Sequence, residues 1–206
     1  ILDGQASIQR LVDKAMADGQ PGIAITDHGD MFGIKEFYNY VKKVKGKLKD
    51  KAADCEKRLE ELRGGEAGAA EIADCEKQLA ELKRKLAFKP IIGCEVYVAR
   101  RRLHDKEGKP DQSGYHLILL AKNLKGYHNL IKIVSKAWTE GFYMRPRTDR
   151  VEIEKYHEGL ICCSACLAGE VPRAITADDM EKAEESILWH KRVFGDDYYL
   201  ELQRHE

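Results

Sequence analysis

Asp27 and His28 stand side by side directly behind the apolar run Gly22-Ile23-Ala24-Ile25-Thr26. A carboxylate and an imidazole thus leave the carboxyl end of what reads as a buried strand, where α/β proteins collect their chemistry. Further strands carry comparable groups. Glu95 lies inside Ile91-Ile92-Gly93-Cys94-Glu95-Val96-Tyr97-Val98, His116 opens Tyr115-His116-Leu117-Ile118-Leu119-Leu120, and Gly159-Leu160-Ile161-Cys162-Cys163 runs into Ser164-Ala165-Cys166. Carboxylate, imidazole and thiol groups delivered by separate strands form a ligand set for zinc or a similar transition metal rather than for magnesium alone. Glu95 resists a packing explanation most, since a carboxylate among strand apolars needs a charged or metal partner to offset burial.

Each group also has an ordinary reading. Taken alone, His116 is a satisfied core histidine, Cys166 a small buried hydrophobe and Asp3 a turn residue before Gly4. Arg145 and Arg147, in the step Arg145-Pro146-Arg147, are candidate phosphate clamps because a guanidinium matches phosphate oxygens in a fork; the competing reading is a salt-bridging surface loop. Cys163-Ser164-Ala165-Cys166 is formally a CxxC, but no thioredoxin-like surround or second cysteine pair supports redox or zinc-knuckle chemistry there. His104, His128, His157, His190 and His205 fall in loops or on polar helix faces and read as surface residues.

The elements that must position these groups alternate between strand and helix. Residues 7–17 place Ile8, Leu11, Val12, Ala15 and Met16 on one helical face, with Ser7 as N-cap and Gly19 and Pro21 as the stop. Helical spacing returns over 31–44, 125–138 and about 178–194, and strands are expected at 23–26, 94–98, 115–120, 160–163 and 198–203, with a polar loop over 100–114. Repeated β-then-α units predict an α/β fold with a parallel sheet, open or closed into a barrel.

One segment departs from that rhythm. Over 45–88 the chain is charge-rich and repeats itself, with Ala53-Asp54-Cys55-Glu56-Lys57 answered by Ala73-Asp74-Cys75-Glu76-Lys77. Cys55, Leu59 and Leu62, then Ile72, Cys75, Leu79, Leu82 and Leu86, form an apolar seam at 3-4 spacing that Gly64-Gly65 and Gly68 interrupt. The prediction is an antiparallel helical hairpin inserted between 1–44 and 89–206, either a self-satisfied insertion or a docking arm.

Composition bounds the function classes. Among 206 residues, Lys+Arg and Asp+Glu balance at 35 each, so no global basic field announces nucleic acid and any such contact must be local. No apolar stretch approaches the roughly 20 residues of a membrane span, and no signal pattern opens the chain. With six cysteines in no disulfide-like framework, a cytoplasmic protein without membrane contact is expected.

The motifs together resemble a known family. Ile1-Leu2-Asp3-Gly4, Ile25-Thr26-Asp27-His28-Gly29-Asp30-Met31-Phe32-Gly33, Lys89-Pro90-Ile91-Ile92-Gly93-Cys94-Glu95-Val96-Tyr97, Tyr115-His116-Leu117-Ile118-Leu119-Leu120-Ala121-Lys122-Asn123, Glu140-Gly141-Phe142-Tyr143-Met144-Arg145-Pro146-Arg147 and the stretch from Leu160 through Ser164-Ala165-Cys166 to Pro172 are similar, in order and spacing, to the PHP (polymerase and histidinol phosphatase) domain of the bacterial DNA polymerase III α subunit. The resemblance covers the chain outside 45–88. It implies a distorted (β/α)7-barrel, partial here, whose rim holds up to three zinc or manganese ions. It also implies Asp3, His28, Glu95, His116 and Cys166 as metal ligands and an orienting role for Asp27. Two family motifs, a His-x-His before Leu2-Asp3-Gly4 and an Asp-x-His after residue 203, are not present, so a piece of the domain with weakened metal binding is expected.

For function the resemblance implies a metal-dependent phosphoesterase or 3′–5′ exonuclease domain within a DNA-directed DNA polymerase, whose absent polymerase domain uses Mg2+. DNA and other replicase subunits, a proofreading subunit among them, are the implied partners. Two alternatives stand beside it: a catalytically silent scaffold, and a free-standing phosphatase acting on a small phosphomonoester such as histidinol phosphate. The 140–147 and 164–172 steps argue against the last.

Overall fold

Residues 6–203 are described by the structure, a computed structural model; Asp3 and His205 lie outside the described residues. The chain divides into two compact units, Ile1–Ile23 with Gly33–Ile91 and Ala24–Phe32 with Ile92–Glu206. No described helix is long and apolar enough to cross a membrane.

In the first unit, α1 (Ile8–Ala17) is capped by Ser7, whose hydroxyl accepts from Arg10 N, and buries Val12, Ala15 and Met16. Gly19, at φ +80°, makes the left-handed turn that ends it. Helix α2 (Ile34–Gly64) then runs for 31 residues. It passes as one helix through 44/45, where the sequence places the start of the hairpin, with Gly46 inside it. Helix α3 (Ala69–Leu86) packs on α2. Ala52, Leu59, Cys75 and Leu79 form their buried seam, with Cys55, Leu62, Ile72, Leu82 and Leu86 beside it. Arg58–Glu71, Arg63–Glu76 and Lys83–Glu56 ion pairs flank it.

In the second unit the sheet gathers β2 (Lys89–Val98), β3 (Tyr115–Ala121), β4 (Arg147–Thr148), β5 (Leu160–Cys163) and β6 (Tyr198–Tyr199), with β1 (Gly22–His28) beside β2. The order is β1-β2-β3-β5-β6, with β4 also on β2, and the sheet is not closed among the described residues. The expected parallel sheet is corrected at β3, which runs antiparallel to both β2 and β5, whereas β4 is parallel to β2 and β6 to β5. A parallel neighbour needs a crossover, usually a helix. The 99–114 connection holds only a 3-10 turn, Lys109–Asp111, so the chain returns along β2 in the opposite sense. The last strand is also shorter than the expected 198–203.

Register sorts the side chains. Cys94, Val96, Val98, Leu117, Leu119, Leu160 and Cys162 share one face and pack with Leu130, Ile133 and Val134 of α4 (Leu124–Thr139), Ile153 of α5 (Arg150–Tyr156) and Trp189 and Phe194 of α7 (Met180–Phe194). Short helix α6 (Glu170–Thr176) precedes α7. The opposite face carries Glu95 opposite Ile118, Tyr97 opposite His116, and Cys163 opposite Ile118. Alternation alone places Glu95, Tyr97 and His116 together, because side chains two apart on a strand share a face.

Two residues correct the sequence reading. His190 is buried at 4% exposure, stacked on Tyr198 and bonded through Nδ1 to Ser186 O; burial lowers its pKa against the opposing main-chain hydrogen bond. Arg147 is 0% exposed. Its guanidinium donates to the main-chain oxygens of Gly141, Asp111, Leu103 and Asp105 at 2.8–3.1 Å. It pins the 99–114 loop and is not available to clamp a phosphate.

Asp149 secures the same loop. Its carboxylate accepts from Arg102 Nε at 2.8 Å and Leu103 N at 3.0 Å, and caps α5 through Glu152 N at 2.9 Å. Burial works to raise its pKa, but these donors prevail and hold it below the usual aspartate value. The stabilisation is therefore complete above pH ~3.9 and is lost as pH falls through the depressed folded value. Asp149→Asn is expected to cost about 2 kcal/mol at neutral pH. Urea titrations should show the gap from the parent protein closing below pH ~3.9, whereas a pH-independent gap would refute the ionic origin.

Candidate metal centre

The reversal of β3 is what assembles the centre. His116 opens its strand, and only because β3 runs against β2 and β5 does that start lie beside the carboxyl ends of its neighbours. The 164–169 loop after β5 then brings in a thiol. His116 N donates to Ala168 O at 3.1 Å, Ala168 N donates to Cys166 Sγ at 3.5 Å, and Gly169 N donates to Cys166 O at 2.9 Å. Ala165, just before Cys166, holds a left-handed φ of +61° and donates its N–H to Glu201 Oε1 at 2.9 Å. A β-carbon there costs of order 1–3 kcal/mol, which the surrounding bonds sustain.

Glu95, His116 and Cys166 form one group whose ligand atoms all lie within 4.8 Å of one another. Glu95 Oε1 is 3.0 Å from His116 Nδ1, and Cys166 Sγ is 3.5 Å from the same nitrogen. A single ring nitrogen can donate at most one proton, so it cannot serve a carboxylate and a sulfur equally. Carboxylate, imidazole and thiol are the donors that zinc takes, and a cation held among the three would satisfy all of them. The residues therefore fit a metal.

The other carboxylate oxygen, Oε2, bonds to His28 Nδ1. Glu95, at 7% exposure, thus stands between two imidazoles. Burial raises its pKa, but the hydrogen bonds from His116 and His28 outweigh that and leave it below the ordinary range, hence anionic. His28 is 56% exposed at its side chain and faces outward from the end of β1. Asp27 is half-buried, and its carbonyl accepts from Cys94 Sγ at 3.5 Å. Burial first, then Asp30 and Asp27, pushes the Cys94 thiol far up. Cys163 is pushed up to about 11 by burial and Glu201, so it remains a neutral thiol.

Arg145 keeps an exposed position at the rim. Its Nη1 donates to Tyr97 Oη at 2.8 Å and its guanidinium lies 4.9 Å over the Tyr97 ring, which in turn meets the His116 ring edge-on at 5.1 Å. Tyr97 escaped the sequence reading as a site residue; its signal was its place two residues after Glu95 on the same strand. Gly29, named in the Asp27-His28-Gly29 step, has a steric role that the step alone did not reveal. At φ +71°, a β-carbon there would come within 2.8 Å of Pro146 Cγ and 2.9 Å of Tyr97 Cε2, so the turn after His28 closes only with glycine.

A family model described as "PHP domain" matches residues 1–205. The chain is 41% identical over 206 residues to DNA polymerase III subunit alpha of Borreliella burgdorferi, covering 100% of the chain and 14% of that protein. It is 35% identical over 207 residues to the subunit of the same name from Chlamydia muridarum, covering 100% of the chain and 13% of that protein. With the one from Thermus aquaticus it shares 35% over 209 residues, 100% of the chain and 14% of that protein. The chain therefore spans about one seventh of the length of the relatives it matches.

Proposed function

The chain belongs to the PHP domain family, and from that premise we propose that it is the metal-dependent phosphoesterase domain of a DNA polymerase III α subunit, a cytoplasmic replicase, and removes nucleotides from DNA 3′ ends. The observation that carries this reading is the convergence of Glu95 and Cys166 on one nitrogen of His116, with His28 on the second carboxylate oxygen. Glu95, His116 and Cys166 hold a zinc or manganese ion, His28 and Asp3 extend the centre to further ions, and residues 1–44 and 89–206 form the catalytic domain with 45–88 as an insertion. Bound cations supply Lewis acidity towards phosphate oxygens and water. Asp27 orients the His28 turn, and Arg145, held over Tyr97, pairs with phosphate oxygens at the rim. DNA and other replicase subunits are its partners.

The test uses the full-length protein purified without chelator. Elemental analysis is expected to find zinc or manganese, and excision from single-stranded DNA should be abolished by chelator and by His28→Ala or Cys166→Ala. A folded, metal-free protein without excision would leave the silent-scaffold reading in its place.

A further inference from the structure

Beside the metal centre lies a groove that its ligands do not use. Met31, Phe32, Ile131, Val134 and Trp138 line it together with Asp30, enclosing a cavity of about 370 Å³. Phe32 is 81% exposed and Trp138 43%. Phe142, 44% exposed, stacks on Trp138 with ring centroids 5.5 Å apart and planes at 24°. Single exposed apolar residues are ordinary, but two aromatics lining one cavity, with a third stacked on one of them, mark a binding surface.

The groove is coupled to the centre through one residue. Trp138 Nε1 donates to Gly29 O at 2.8 Å, and Gly29 N donates to Glu95 O at 2.8 Å. Gly29 directly follows His28, and Phe32 lies four residues beyond His28, a span of at most roughly 14 Å. A phosphoester seated at His28 and Glu95 therefore has its own substituent within reach of the aromatic faces. Charge then selects the occupant. Among the described residues no lysine or arginine lines the groove, and Asp30 contributes a carboxylate, so a phosphate is disfavoured inside it. The fitting ligand is flat, uncharged and apolar on its faces.

We propose that this groove seats the 3′-terminal nucleobase of a single-stranded DNA whose last phosphodiester lies at the metal centre, with Phe32 and the Trp138–Phe142 pair as stacking surfaces. The proposal rests on the phosphoesterase reading of that centre. Stacking on aromatic side chains tolerates all bases because each has a π-face, which suits an activity that must accept any terminus.

The test uses the full-length protein and an oligonucleotide ending in 4-thiothymidine. Irradiation is expected to cross-link the terminal base to the peptide carrying Phe32 or the one carrying Trp138 and Phe142. In parallel, excision of a terminal thymidine is compared with that of a terminal abasic residue. The base should lower KM about tenfold, and Phe32→Ala or Phe142→Ala should erase that advantage while kcat changes little. Cross-links confined to other peptides, including the result expected if another part of the polypeptide covers the groove, would overturn the proposal, as would equal KM values for base and abasic ends. A groove cross-link without any excision would keep the base seat and remove the phosphoesterase reading, so the two failures are separable.

Discussion

Arg147→Met is expected to lower unfolding free energy by about 3–5 kcal/mol in urea denaturation, whereas Arg145→Met, two residues earlier, should stay within about 1 kcal/mol of the parent. Methionine nearly matches the length of the arginine stem, so the loss comes from the four main-chain oxygens of Gly141, Leu103, Asp105 and Asp111, which the guanidinium now satisfies. Each orphaned buried acceptor costs about 1–3 kcal/mol. Part of that is returned, because burying the cation is itself unfavourable and lowers its pKa even against Asp111 and Asp105. The usual tolerance of buried ion pairs for apolar replacement does not extend here, since the partners are backbone and cannot be exchanged for hydrocarbon. An Arg147→Met protein of parental stability that failed only in catalysis would return Arg147 to the phosphate site and contradict its burial.

The second large effect falls on Glu95. Glu95→Gln is expected to weaken zinc or manganese binding at least about 100-fold, read by elemental analysis and competition with a chromophoric chelator, while far-ultraviolet circular dichroism is unchanged. The amide is isosteric and can still hydrogen-bond to His28 and His116, so the sheet has no reason to open. What it cannot supply is the charge that the two imidazoles hold in the anionic form, or two equivalent oxygens facing two positions. Retention of full metal content by Glu95→Gln would show that the cation sits elsewhere.

The chemistry of the centre was legible because its members break the pattern around them. Glu95 interrupts a β-branched run, His28 follows the end of one, and His116 begins one. The direction of β3 was harder, although a signal existed: 100–114 has no helical period, and without a helix the return strand is antiparallel. Arg145 and Arg147 look equivalent as residues, yet pairing with β2 turns Arg147 inward opposite Tyr97 while Arg145 remains at the rim. No local pattern encodes that difference, because it depends on a two-residue strand. His190 could have been found, since Ala183, Ser186, His190 and Phe194 recur at helical spacing on a buried stripe; its polarity hid it.

The α2–α3 pair offers a practical opening. Its seam is drawn from residues 52–86 alone, and at its turn neither Gly64 nor Gly68 has any atom within 4 Å of where a β-carbon would stand. Loop tips of that kind accept foreign sequence. A peptide tag or a small fluorescent module spliced between Gly65 and Gly68 would give a handle for immobilisation or distance measurement on the working protein, with the sheet and its ligands left in their native sequence.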